Sequence, residues 1–264
     1  MTNLPDRETL KEACEHAHDA GFLLRRWKRL AKQRGLQTKE LQQPGDHPLL
    51  LIQSPDFAKH SRGGFYVSAG IHGDEPAGVL ALLLWMEGLR PNQFRVPFFL
   101  IPILNPWGLV ENSRRDRAGN DLNRIWNRKG HPLRRTIDRH LQGHRLSAAI
   151  TLHEDYDATG IYLYELLHRG RKPLGGDLLA APAGVLPLEQ RKKIEGSRVG
   201  WPGWICRKKT PLHLVDTLPE ALYLHQNHAD HTFTFETPSE RDLEKRVCAQ
   251  LKFLHACARE FGVV

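Results

Sequence analysis

The chain has 264 residues, 40% hydrophobic and 26% charged, which suffices for one large core or at most two small ones and excludes a disordered protein. No apolar run reaches the roughly 18 residues of a membrane-spanning helix, and the first 30 residues lack the apolar stretch of a secretory leader. The four cysteines, Cys14, Cys206, Cys248 and Cys257, are too scattered for a disulfide framework, so a cytoplasmic protein is expected.

Thirty-eight basic residues against 30 acidic ones leave a net charge of +8. That surplus permits acidic partners, but the basic residues are dispersed and no nucleic-acid module surrounds them. A solvated basic surface is expected, with neither nucleic acid nor a membrane as partner.

In chain order, residues 5–34 place Leu10, Ala13, Ala17, Phe22, Leu23, Trp27 and Leu30 at near-helical spacing. One or two amphipathic helices are predicted there, within an N-terminal helical extension over about 1–60. Residues 65–71 read as a buried strand, followed by the turn His-Gly-Asp-Glu-Pro and an apolar helix over 79–89. That is the opening of an α/β unit. Residues 96–104 and 148–152 are further buried strands, and 161–166 alternate weakly. Gly and Pro punctuate 167–215 throughout, which predicts a loop-rich excursion from the sheet. Residues 232–236 form a last strand, and Ser239 is placed to cap a helix from 240 to about 261 that Gly262 ends. Interleaved strands and helices predict one α/β domain over the whole chain.

Chemically capable residues fall just beyond the apolar strands: His72 and Glu75, His153, and Glu236. The carboxyl ends of strands in open α/β sheets are where sites form. Two histidines and a carboxylate make a catalytic-zinc ligand set with a position left for water or substrate. Gly73 and Pro76 break any helix across His72–Glu75, so this is not the helical His-Glu-x-x-His pattern. Taken singly, each histidine is more often a structural group than a ligand. Glu236 ends an apolar Thr-Phe-Thr-Phe strand, where an unpaired carboxylate is costly; a strand-end salt bridge is its other reading. The arginines of 114–124 offer planar forks suited to carboxylates and developing oxyanions, or simply a solvated loop, the preferred reading for Arg115 and Arg117.

Four ordered blocks, His72-Gly73-Asp74-Glu75, Asn105-Pro106-Trp107-Gly108, Asp121-Leu122-Asn123-Arg124 with His153, and Phe235-Glu236-Thr237-Pro238-Ser239, resemble the zinc carboxypeptidase superfamily of the carboxypeptidase A type. The resemblance implies a three-layer α/β/α sandwich with a mixed, mostly buried sheet. It implies one zinc ion held by His72, Glu75 and His153, and Glu236 as general base and acid. It further implies Arg114 polarising the scissile carbonyl, with Arg115 the nearby competitor, and Asn123 and Arg124 holding the substrate's terminal carboxylate. The acidic run Glu154-Asp155-Tyr156-Asp157 departs from the family pattern. Either one of its carboxylates meets a substrate ammonium, or it is a solvated or supporting acidic turn. Tyr156, Tyr162, Tyr164 and Tyr223 are alternatives for a tyrosine that closes over substrate.

The compact branch that the chain resembles includes the murein peptide amidases, which implies a metallocarboxypeptidase acting on small peptides, with the γ-D-glutamyl–diaminopimelate bond of murein peptides as a target. The related succinylglutamate desuccinylase/aspartoacylase branch shares the skeleton and would make the substrate an N-acyl amino acid. The Asn-Pro-x-Gly block and the interval from Arg114 to Asn123 favour the peptidase side. A non-catalytic peptide-binding descendant is disfavoured by the complete ligand set. The oligomeric state is left open.

Overall fold

The computed structural model describes residues 4–43, 45–90, 93–207 and 217–264. The chain opens with α1 (Arg7–Glu15), capped by Asp6, which accepts from the Thr9 N–H at 2.8 Å. Next comes α2 (Ala20–Gln33), where Asp19 does the same for Phe22 at 2.7 Å. Leu10, Ala13, Leu23, Trp27 and Leu30 are buried, as their spacing predicts.

The rest of the extension is not helical, which corrects the expectation for 1–60. β1 (Gln37–Leu41) and β2 (Leu49–Gln53) form an antiparallel pair that joins the central sheet through β4 (Phe98–Ile101). The run Leu49–Ile52 is buried on both faces. A continuous apolar run carries no period by which sequence can tell strand from helix.

The remaining elements are β3 (Phe65–Ala69), α3 (Pro76–Gly88), α4 (Pro106–Val110), α5 (Pro132–Leu141), β5 (Leu146–Asp155), β6 (Tyr162–Leu167), α6 (Gly175–Ala180), β7 (Lys193–Ile194), β8 (Ser197–Arg198), β9 (Trp204–Arg207), α7 (Glu220–Asn227), β10 (Ala229–Pro238) and α8 (Leu243–Glu260). Among the described residues, eight strands make one mixed sheet in the order β1-β2-β4-β3-β5-β10-β6-β9. Its centre, β4-β3-β5-β10, is parallel, and β2 and β6 run antiparallel at its flanks. Alternate residues feed two cores. Phe65, Val67, Ile150 and Phe235 pack with residues of α1, α2, α3 and α8, while Tyr66, Phe99, Ile101 and Ala149 pack with residues of α5 and α7. This is the three-layer α/β/α sandwich with a mixed, buried sheet that the sequence predicts.

Two further differences bear on the site. The loop-rich stretch returns to the sheet, because β9 pairs beside β6 at its edge; residues 208–215 of that stretch lie outside the described residues. The last helix also starts later than a Ser239 cap predicts. The Ser239 N–H is spent on the Asp155 carbonyl at 3.1 Å, tying it to the end of β5, and Asp242 caps instead by accepting from the Lys245 N–H at 3.0 Å. Gly262, with φ +63, ends the helix as expected. Among the described residues no helix is long and apolar enough to cross a membrane.

Candidate metal centre and active site

β3 delivers His72 and Glu75 on the turn into α3, its parallel neighbour β5 carries His153, and β10 sets Glu236 directly beside His153 in register. All four therefore gather at the carboxyl ends of three adjacent strands. One ligand atom from each of His72, Glu75 and His153 lies within 4.8 Å of the others, and all three residues are buried. Glu75 sits between the rings, with Oε1 2.5 Å from His72 Nδ1 and Oε2 2.9 Å from His153 Nδ1.

The electrostatics of this cluster fit a cation. Burial by itself would lower the pKa of His72, but Glu75 and then Asp121 overcome it and raise the ring to about 9. His153 is likewise raised, with burial outweighed by Glu75. Glu75 is held well below the usual carboxylate range by the two imidazoles despite its burial. Two rings drawn toward protonation around one carboxylate show a site that calls for positive charge, and nitrogen and oxygen donors in this number suit one ion such as zinc. Asp121 Oδ1 lies 3.2 Å from His72 Nε2, the carboxylate-to-imidazole support that orients metal-bound histidines.

Two of the sequence blocks meet here. A Cβ on Gly73 would lie 1.9 Å from the Gly108 carbonyl carbon, so the metal turn rests directly on the backbone of α4. Asn105 holds that helix in place, accepting from the Gly108 N–H at 2.9 Å and donating through Nδ2 to the Arg115 carbonyl at 3.1 Å. Gly73 is needed for close approach between backbones rather than for an unusual φ.

His72, Glu75, His153, Arg114, Asn123, Arg124 and Glu236 all line one cavity of about 790 Å³. Arg114 is bound to Asp121 through Nη2 at 3.0 Å and lies 3.6 Å from Glu75. Arg115 is turned onto the Gly119 carbonyl at 2.8 Å and is not among the lining residues, so the geometry separates the two arginines. Asn123 Oδ1 accepts from the Glu220 N–H at 2.9 Å. Burial pushes Glu236 up to about 8, with His153 working against the rise and Glu75 with it. A carboxylate poised near neutrality beside a metal site is suited to moving protons.

Two carboxylates of the acidic run, Glu154 and Asp155, are supporting groups. The buried Glu154 accepts from the Ala77 N–H at 2.8 Å and pairs with Arg246. Asp155 accepts from the Tyr162 hydroxyl at 2.9 Å and pairs with Arg191 at 3.0 Å. Both are committed to protein partners, which counts against a substrate-ammonium role. Of the tyrosines, Tyr156, Tyr162 and Tyr164 line the cavity, whereas Tyr223 stacks on Trp126 away from it.

Sequence reading missed two supporting carboxylates. Asp121 was visible only as part of a block. Glu220, fully buried, accepts from the Tyr66 hydroxyl at 2.5 Å and from Ser68 at 3.0 Å, pinning the start of α7 to β3. A lone glutamate after a proline gives no sign of such a role.

The Succinylglutamate desuccinylase/Aspartoacylase catalytic domain family matches residues 63–180. No curated protein sequence matches the chain. Among solved structures, a candidate metallopeptidase from Shewanella amazonensis is 25% identical, with a TM-score of 0.80 over 93% of this chain and 94% of that one. Another from Shewanella denitrificans is 22% identical, with a TM-score of 0.81 over 94% and 92%. Carboxypeptidase A from Helicoverpa armigera is 16% identical, with a TM-score of 0.62 over 89% and 71%, a likeness of fold. The chain is therefore similar to the zinc carboxypeptidase / succinylglutamate desuccinylase–aspartoacylase superfamily and has a carboxypeptidase A-like fold. Its buried His72-Glu75-His153 set can hold one metal ion, the kind of site a metal-dependent hydrolase uses.

Proposed function

We propose that the protein is a zinc-dependent metallocarboxypeptidase that releases the C-terminal residue of small peptides, with murein peptides cut at the γ-D-glutamyl–diaminopimelate bond as the target. The observation that carries this reading is the cavity. At about 790 Å³ it extends from the metal ligands past Tyr164 and Leu166 to Arg207, room for a substrate with residues on both sides of the scissile amide.

A zinc ion on His72, Glu75 and His153 would supply Lewis acidity and a water acidified toward a pKa of about 7. Glu236 takes the proton of the attacking water and returns it to the leaving amine. Arg114, already at the edge of the metal cluster, donates to the scissile carbonyl oxygen as negative charge develops there. Arg124 and Asn123 hold the terminal carboxylate. Because Asn123 Oδ1 is occupied by the Glu220 N–H, the Nδ2 donors are the ones left for substrate. Anchoring that end fixes the amide over the metal site.

The family match over residues 63–180 favours a second reading, hydrolysis of N-acyl amino acids on the same metal site. Mass-spectrometric product analysis of the zinc-loaded protein on murein tripeptide, ordinary C-terminal peptides and N-acyl amino acids separates the two. Release of a C-terminal residue, diaminopimelate above all, supports the peptidase. Release of acetate or succinate assigns the acylase instead.

A further inference from the structure

Side chains alternate between the two faces of a strand. β5 and β10 run in register, with Phe235 beside Leu152, Glu236 beside His153 and Thr237 beside Glu154. His153 and Glu236 line the cavity, whereas Leu152 and Phe235 pack into the core shared with α3 and α8. Thr237 and Glu154, two residues further along, return to that helical side. Each directly follows a residue of the site. Pro238, next on β10, brings no N–H to the ladder, so the backbone ties the two strands least where the site sits.

One face of α8 meets both strand ends. Arg246, Gln250 and Phe253 share that face at i, i+4 and i+7. Phe253 stacks on Phe235 with ring centres 4.2 Å apart, and Arg246 pairs with Glu154. Between them Gln250 is fully buried, among the apolar Val247, Leu251 and Leu254 of the same helix. Its Nε2 donates to the His153 carbonyl at 2.8 Å and to Thr237 Oγ1 at 3.2 Å. The Thr237 hydroxyl donates in turn to Glu154 Oε2 at 3.3 Å, and the Glu154 N–H donates to Glu75 Oε2 at 3.1 Å. Gln250 Oε1 is buried without a partner among the described residues. A leucine would fill the same space with no idle acceptor, so stability alone does not account for an amide here.

We propose that Gln250 is a positioning residue: through the His153 carbonyl and the Thr237 hydroxyl it sets the metal ligand His153 and the carboxylate Glu236 at one fixed separation. Its two donor bonds reach one strand at the ligand itself and the other at the neighbour of the carboxylate, so neither strand end shifts without the other. Thr237 passes the constraint to Glu154, whose N–H holds Glu75, and α8 thereby grips two of the three ligands and the carboxylate from behind. Supporting hydrogen bonds of this kind orient ligands that the metal alone leaves free to turn. The inference concerns the metal site and Glu236, and is independent of whether the substrate is a peptide or an N-acyl amino acid.

The test loads the full chain with cobalt(II), whose visible absorption reports ligand geometry, and measures zinc affinity by chelator competition. Gln250→Leu should change the cobalt spectrum and weaken zinc binding by about tenfold or more, while the metal-free variant melts within about 4 °C of wild type. With zinc, on whichever compound of the product panel is cleaved, kcat should fall and KM hold. Thr237→Val keeps the shape and loses the hydroxyl, and should act in the same direction; Thr237→Ser should stay near wild type. The Gln250→Leu, Thr237→Val double variant should lose no more than the worse single one, because the two residues act as a unit. A Gln250→Leu protein with the wild-type cobalt spectrum and zinc affinity, losses that add in the double variant, or equal losses in Thr237→Ser and Thr237→Val would overturn the proposal. If Gln250→Leu does not fold, the Thr237 pair decides by the same two readouts. A protein that cleaves no compound of the panel counts against the proposed reaction, and the spectrum and the affinity still decide the role of Gln250.

Discussion

Substituting Gly73 by alanine tests how the metal turn is built. The new Cβ would lie 1.9 Å from the carbonyl carbon of Gly108, 2.2 Å from its oxygen and 2.3 Å from the Leu109 nitrogen. All three are backbone atoms, so no rotamer change relieves the clash. Restoring ordinary contact near 3.5 Å requires the turn and α4 to separate by ~1.5 Å. The Gly73 N–H bond to the Ser113 carbonyl (3.0 Å) and the Ser113 N–H bond to the Gly108 carbonyl (2.8 Å) oppose that separation.

Overpacking that side chains can absorb costs about 1–3 kcal/mol, so Gly73→Ala is expected to cost at least ~3 kcal/mol and to lower Tm by roughly 6–12 °C. The same shift carries His72 and Glu75 away from His153. Perturbing groups that merely support metal ligands costs about 10–100-fold in affinity, and moving two ligands should cost at least the upper end of that range. Differential scanning calorimetry of the metal-free protein and a chelator competition assay measure the two effects. A Gly73→Ala protein that melts with the wild type and binds metal equally well would refute the close-approach argument.

Other consequences follow from the same geometry. Glu236→Gln should keep the metal and lower kcat by about 10²–10⁴; a fully active variant would remove Glu236 from the reaction. Arg114→Ala should lower kcat by about 10²–10³, as loss of an oxyanion donor does, whereas Arg115→Ala, turned onto Gly119, should stay near wild type; steady-state kinetics of the pair in parallel decides between them. Metal affinity should depend on pH. With His72 raised to about 9 in the metal-free protein, metal must displace its proton below that pH, so affinity falls by up to tenfold per unit and is about fiftyfold weaker at pH 7 than at pH 9. The metal-free protein responds in the opposite sense. Stability from protonated His72 is complete below its ordinary 6.5 and is lost as pH rises through about 9. Competition titrations and melting curves over pH 6–9 check both, and a flat affinity profile would contradict the charge balance described for the triad.

The ligand set was legible because it combines residue types that few other roles demand with positions just past apolar strands. His72, Glu75, His153 and Glu236 each follow or end a run of buried residues, and a sheet then brings their strand ends together whatever lies between them. The sandwich was legible for the same reason, since strands of four to ten residues alternating with helices leave few ways to bury both faces. The edges were not legible. Leu49–Ile52 has no period, so β2 and its partner β1 were hidden inside an expected helical extension. The cap of α8 shifted from Ser239 to Asp242 because a distant carbonyl, that of Asp155, claimed the Ser239 N–H.

Sequence alone therefore pointed to the side chains that can ligate a metal, to the strand-end carboxylate beside them, and to the layers that bury the sheet. Tertiary structure decided the assignments that depend on neighbours far apart in the chain. It placed Arg114 rather than Arg115 at the cluster, committed Glu154 and Asp155 to Arg246 and Arg191, and set Gly73 against Gly108. Residue type and local period are written in the order of the chain. Whether a charge is free for substrate or spent on a partner depends on contacts between residues tens of positions apart, and only the folded backbone supplies those.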